Sequence, residues 1–196
     1  MTKKTILDQL RKLAAETAVL RKNIIDEKGT QIVDLAAVIS GVIGSGGKIL
    51  IAGNGGSAAD ASHFAAEMVI RLTGERNRQA LPAIALCTDP AVLTAGSNDL
   101  GFEHVFSRQV EALGQKGDML IVISTSGNSQ NLINAVRTAR DRGLLTMGLL
   151  GRGGGKLAGL VERSLVVPHA SVQRIQEEHI FIIHLLVELV EGDLFV

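Results

Sequence analysis

Short runs of unbroken apolar residues alternate along the chain with longer stretches in which apolar residues recur every three or four positions. The runs at 48–52, 83–87, 118–124, 145–150 and 164–168 are bounded by Gly, Pro, Asp or Ser, and they predict strands. The spaced stretches at 58–72, about 90–97, 103–114, 129–142 and 172–191 predict helices. Strands that are apolar on both faces and separated by helices imply a parallel sheet covered on both sides. The fold class is therefore α/β, a three-layer sandwich around a five-stranded parallel sheet of flavodoxin-like type. Two helices are expected before the first strand. One runs over Thr5–Ile25; the other starts at Thr30, read as an N-cap, and ends at Ile43, where Gly44-Ser45-Gly46-Gly47 stops it. The chain reads as one domain over 1–196, with 1–45 a helical extension.

Two strand-to-helix junctions are small and polar. Ile49-Leu50-Ile51-Ala52 runs into Gly53-Asn54-Gly55-Gly56-Ser57, and Met119 to Ile123 runs into Ser124-Thr125-Ser126-Gly127-Asn128-Ser129. Such a junction leaves the first N–H groups of the helix without partners and aims the positive end of its dipole at the loop. Glycines let an anion reach the backbone, and hydroxyls add donors. In parallel sheets ligands bind beyond the carboxyl ends of the strands, so both loops can face one crevice. The pair suggests a ligand with a phosphate at one end and hydroxyls along its length.

Composition narrows the ligand. Zero formal net charge argues against a nucleic-acid groove or an electrostatic membrane binder. With no Trp or Tyr and five Phe, base stacking is hard to build, so recognition rests on hydrogen bonds and charge. The single cysteine, Cys87, fits a reducing compartment and reads as a buried structural thiol. The N-terminus lacks the apolar core of a signal peptide, and Ile180–Val190 is too short to span a bilayer, so a cytoplasmic protein is expected. That last helix is apolar nearly all round and needs cover on every side, which predicts a homo-oligomer.

His63 and Glu67, four apart on the helix that begins at the first loop, project from one face toward a metal or substrate. An ordinary surface pair has the same spacing. His184, flanked by Ile182, Ile183, Leu185 and Leu186, is either a core histidine bonded to a backbone carbonyl or a ligand and proton carrier. Asn98 and Asp99 form a polar pair in a loop, where a turn role is the ordinary explanation. Arg71, Arg76, Arg78, Arg152 and Lys156 read as solvated charges.

Taken in order, Gly53-Asn54-Gly55-Gly56-Ser57, His63-Phe64-Ala65-Ala66-Glu67, Asn98-Asp99, Ser124-Thr125-Ser126-Gly127-Asn128-Ser129, Arg174-Ile175-Gln176-Glu177 and His184 resemble the phosphoheptose isomerases, a family of sugar-isomerase (SIS) domain enzymes. The likeness covers nearly the whole chain. It implies a homotetramer that converts sedoheptulose 7-phosphate to D-glycero-D-manno-heptose 7-phosphate, the first step toward ADP-heptose. By the same resemblance, Ser124, Thr125, Ser126 and Ser129 hold the phosphate. Asn54, Gly55, Gly56, Ser57, Asn98 and Asp99 line the sugar, with Glu67 and Gln176 also in reach of it. His63, Glu67, Gln176 and His184 bind one zinc ion per subunit, and Glu67 and His184 act as base and acid. Local spacing instead pairs Gln176 with His179, three residues on, because Gln176 and His184 are eight apart, about 12 Å of helix rise. Gln173 stands where relatives can carry an acidic group. Competing readings are a non-catalytic SIS protein that binds the replication initiator, a sugar-phosphate sensor, and a dinucleotide enzyme using Gly53-x-Gly55-x-x-Ala58.

Overall fold

In the computed structural model, which describes residues 2–195, five strands form one all-parallel sheet in the order β2-β1-β3-β4-β5. They are β1 (Ile49–Gly53), β2 (Ala83–Ala85), β3 (Met119–Ser124), β4 (Leu145–Gly151) and β5 (Arg163–Val167). Side chains alternate across each strand, and this alternation builds two cores. Ile49, Ile51, Ile121 and Leu149 meet α1 (Lys3–Gly44), α2 (Gly56–Val69) and α7 (Val172–Leu194) on one face. Leu50, Ala52, Leu120 and Val122 face the other way. There they meet α4 (Val105–Leu113), α5 (Gln130–Asp141) and α6 (Gly155–Ala158), with α3 (Pro90–Leu100) at the margin through Leu93. The expected three-layer sandwich is present.

From β1 the chain steps outward to β2, then returns past β1 to pair β3 on its other side. At this reversal α2 leaves β1 on one face of the sheet, while α5 leaves β3 on the opposite face. The two small-residue loops therefore flank one crevice at a topological switch point.

The N-terminal expectation is corrected. Thr30 caps nothing: α1 is a single helix of 42 residues, with Gly29 and Thr30 in its interior. Leu20 and Ile24 lie before that point and Ile32, Leu35, Ala36 and Ile39 after it, all buried on the same side. Burying these side chains is worth about 1.5–3 kcal/mol each, which exceeds the roughly 1 kcal/mol cost of a glycine inside a helix. The helix does end at the predicted place, where Gly46 (φ +84°) and Gly47 turn back to the carbonyls of Ile43 and Val42.

The cover of α7 also differs from expectation. Its buried residues, Ile175, Ile182, Ile183, Leu186, Val187 and Val190 among them, are enclosed within the same chain by α1, α2 and the sheet. Uncovered apolar surface lies instead on the first half of α1, at Ile6, Leu7, Leu10, Leu13 and Val19. Among the described residues no helix is long and apolar enough to cross a membrane.

Candidate active site

The first loop leaves β1 through Gly53, where a Cβ would collide with the Ser57 backbone. It turns at Gly55, whose φ of +57° and ψ of −123° strongly favour glycine. The N–H groups of Ser57 and Ala58 return to the carbonyls of Asn54 and Gly55, and the Gln176 amide lies over Gly56 at the start of α2. In the second loop the buried Ser124 hydroxyl accepts from Gly127 N–H at 3.0 Å. Ser126 Oγ accepts from Asn128 N–H at 3.2 Å. Ser129 occupies the N-cap of α5 without a side-chain capping bond, so its hydroxyl is available to a ligand.

Asn131 joins the two loops and was not singled out in the sequence. Its amide exchanges hydrogen bonds of 2.9 and 3.0 Å with the amide of Asn54. The Asn54 side chain is thus held by protein at both ends, with one N–H and one lone pair of its amide left over. Gly127 packs against Gly154, and Leu157 N–H donates to the Gly127 carbonyl at 2.9 Å, so the 151–157 segment braces the second loop.

His63, Glu67 and His184 come together. The Nε2 atoms of His63 and His184 face each other at 2.8 Å, with the rings edge to face. Glu67 Oε1 lies 3.7 Å from His63 Nε2, and Glu67 Oε2 is buried without a partner. Gln176 does not join them; its amide lies against Gly56, at the start of α2. Because α2 and α7 run side by side in the same direction, the eight residues from Gln176 to His184 are matched by the seven from Gly56 to His63. Packing direction, not spacing within α7, therefore selects His184 over His179.

His179 is fully buried on another side of α7, and neither ring nitrogen makes a well-formed hydrogen bond. Burial pushes its pKa down to about 4, with the Leu150 backbone pulling weakly the other way. An unfolded histidine titrates near 6.5, so between about pH 4 and 6.5 the unfolded chain binds the extra proton. Stability should be complete above pH 6.5 and fall by about 3 kcal/mol on going below pH 4. Urea titrations of wild type and His179→Leu across this range should show that part of the pH slope vanish in the variant.

Asp60, one turn before His63 on α2, is a further group that sequence reasoning passed over. One of its carboxyl oxygens is buried without a partner. Burial raises its pKa to about 6, while neighbouring His63 acts in the opposite sense. The available signal was its spacing: 60, 63 and 67 fall on one helical face. Asn98 and Asp99 are placed differently from expectation. They lie exposed in the last turn of α3, not in a loop, and Asn98 donates to Asp99 at 2.7 Å. Asp99 lines an open groove of about 600 Å³ with His104, Arg108 and Arg142.

Whether these donors suit zinc can be tested on their geometry. At Zn–N distances of about 2.0–2.1 Å, two tetrahedral imidazole nitrogens stand about 3.3 Å apart. The His63–His184 pair needs to open by about 0.5 Å, and the orphaned Glu67 oxygen lacks the partner a cation would supply. Among the described residues no three such side chains already close around one ion. The donor chemistry fits the metal, and the side chains must spread slightly to accept it.

The family model for the SIS domain matches residues 13–151. The phosphoheptose isomerase of Pelodictyon phaeoclathratiforme is 51% identical over 176 residues, covering 89% of this chain and 83% of that protein. The chain belongs to the phosphoheptose isomerase family. The Aquifex aeolicus phosphoheptose isomerase is 47% identical over 186 residues, covering 95% of this chain and 96% of its own. The solved phosphoheptose isomerase of Neisseria gonorrhoeae superposes with a TM-score of 0.88 at 43% identity, covering 95% of this chain and 99% of the other. Family membership thus spans both loops and the imidazole pair, and the protein is an isomerase.

Proposed function

We propose that the protein interconverts sedoheptulose 7-phosphate and D-glycero-D-manno-heptose 7-phosphate, the entry to ADP-heptose synthesis, in the cytoplasm. The observation that carries this reading is the meeting of His63, Glu67 and His184 on the helices beside the two-loop crevice. The phosphate sits at the second loop, on Ser124, Thr125, Ser126 and Ser129 with the start of α5 behind them. The sugar extends along Gly55, Gly56 and Ser57 toward the imidazoles, whereas Asn98 and Asp99 stand apart from it in this chain, Asp99 on the groove with Arg108 and Arg142 at the far end of α5.

Aldose–ketose interconversion takes a proton from the carbon beside a carbonyl and returns it to the neighbouring carbon, through an enediol. Glu67, whose side chain is partly exposed, takes a proton from one carbon, exchanges it with water, and delivers a proton to the other. His184 protonates the carbonyl oxygen as the enediol forms and recovers a proton from the adjacent hydroxyl as it collapses. His63, against His184, orients that ring. His63, Glu67 and His184 would hold a zinc ion, and Gln176, now against Gly56, would be the fourth donor. When bound, the metal polarises the sugar oxygens.

Incubation with sedoheptulose 7-phosphate, followed by NMR, should show the aldose accumulate. A chelator should stop it and zinc restore it. A protein that stays inert to this sugar when zinc is supplied overturns the reading.

A homotetramer is part of the proposal. Ile6, Leu10, Leu13, Thr17, Leu20 and Ile24 follow a four–three spacing along α1. Its second part is buried within the chain, and its first part is exposed. Leu10→Glu with Leu13→Glu should leave the fold intact and yield smaller species in sedimentation velocity. An unchanged assembly would place the contact elsewhere.

A further inference from the structure

Arg78 departs furthest from its sequence reading. It stands among charges expected to be solvated, yet its side chain is completely buried, and so, nearly, is its partner Glu191. Its Nε donates to Glu191 Oε1 at 2.6 Å. Nη2 donates to the carbonyl of Glu67 at 2.7 Å. Nη1 donates to the carbonyls of Met68 and Gln79 at 2.8 and 2.9 Å. Glu191 accepts in addition from Leu72 N–H at 3.3 Å.

The placement of these bonds matters more than their number. α2 ends at Val69, so the carbonyls of Glu67 and Met68 belong to the last turn and have no partner within the helix. Arg78 bonds both, sharing Met68 with Leu81 N–H, and the other is the main chain of Glu67 itself. On α7, Glu191 follows His184 by seven residues, two turns along the same face. The guanidinium thus ties the backbone of Glu67 to the helix face that carries His184. With Gln176 on Gly56 and His184 on His63, it is the third tie along the α2–α7 contact, and its planar fork fixes position as well as charge.

We propose that the Arg78–Glu191 pair is a positioning latch, which sets the register of α2 against α7 and so holds the Glu67 carboxylate opposite the His63–His184 pair. The proposal rests on the reading of Glu67 and His184 as the proton-handling groups.

Arg78→Lys tests it, because a lysine keeps the charge but cannot reach three carbonyls and a carboxylate in one plane. The expected result is a kcat about 10–100-fold lower with KM within about twofold of wild type. The imidazole Nε2 signals of His63 and His184 should also move in long-range nitrogen–proton NMR spectra. A second variant, Arg78→Met with Glu191→Met, removes both buried charges at similar volume, a change that cores often tolerate. It should show the same loss and the same spectral shifts. A folded variant of either kind, with wild-type kcat and unmoved imidazole signals, overturns the latch. So does failure of both to fold, since the pair would then hold the whole molecule together and not the register of two helices. If the wild-type protein isomerises no heptose phosphate, the functional reading fails by itself, and the imidazole signals still decide the latch.

Discussion

Glu67→Gln should lower kcat about 1,000-fold and leave KM nearly unchanged, because a correctly placed general base contributes roughly 10²–10⁴ in rate. The substitution keeps the length and volume of the side chain, so the fold should survive. It removes the capacity to accept a proton and weakens the hold on a cation. No protein donor bonds the buried Oε2, and Oε1 stands 3.7 Å from His63 Nε2, so one oxygen could meet a cation while the other takes the proton. A carboxylate with a purely structural role would be satisfied on both oxygens. Steady-state kinetics with sedoheptulose 7-phosphate, alongside a thermal unfolding curve, would check this. Wild-type kcat in Glu67→Gln would remove the proposed base.

Gly127→Ala should have the largest effect of any single methyl group in the crevice. Gly127 has a φ of +64°, a conformation that costs other residues about 1–2 kcal/mol, and a Cβ there would collide with the Gly154 carbonyl. Neither backbone can yield cheaply, because Leu157 N–H is bonded to the Gly127 carbonyl and Gly155 packs on Ser126. A loss of about 3 kcal/mol or more in stability is expected, with a raised KM as the Ser124–Ser129 loop is displaced. Gly153→Ala is the matching control, since nothing lies within 4 Å of the added atom. Urea unfolding of the two variants should separate them clearly. Equal stabilities would show that the 151–157 segment does not brace the phosphate loop.

What the sequence disclosed follows from the range of each signal. The five strands and both loops were legible because an apolar run and its bounding glycines or serines are local. The break expected at Thr30 failed because a turn-like Gly29-Thr30 pair is local, whereas the stripe from Leu20 to Ile39 that carries α1 through it gains its energy from α7 and the sheet. His184 could not be separated from His179 by spacing. The choice depends on α2 and α7 running in parallel, which shows only when His63 meets His184 across 121 positions. Arg78 and Glu191 are 113 residues apart, and Asn54 and Asn131 are 77 apart. Nothing in the local sequence of Arg78 distinguishes it from Arg76, so its burial was invisible. Resemblance supplied the roles of the site residues, and packing supplied their neighbours.

Turnover of sedoheptulose 7-phosphate in deuterium oxide tests the central claim most directly, with the product examined by proton NMR at the carbon beside the carbonyl. Transfer through Glu67 predicts that wild-type product gains solvent deuterium at that carbon, and that Glu67→Gln neither forms product nor exchanges the substrate's hydrogen. Product formed by wild type with its original hydrogen wholly retained, or exchange in Glu67→Gln as fast as in wild type, would contradict it.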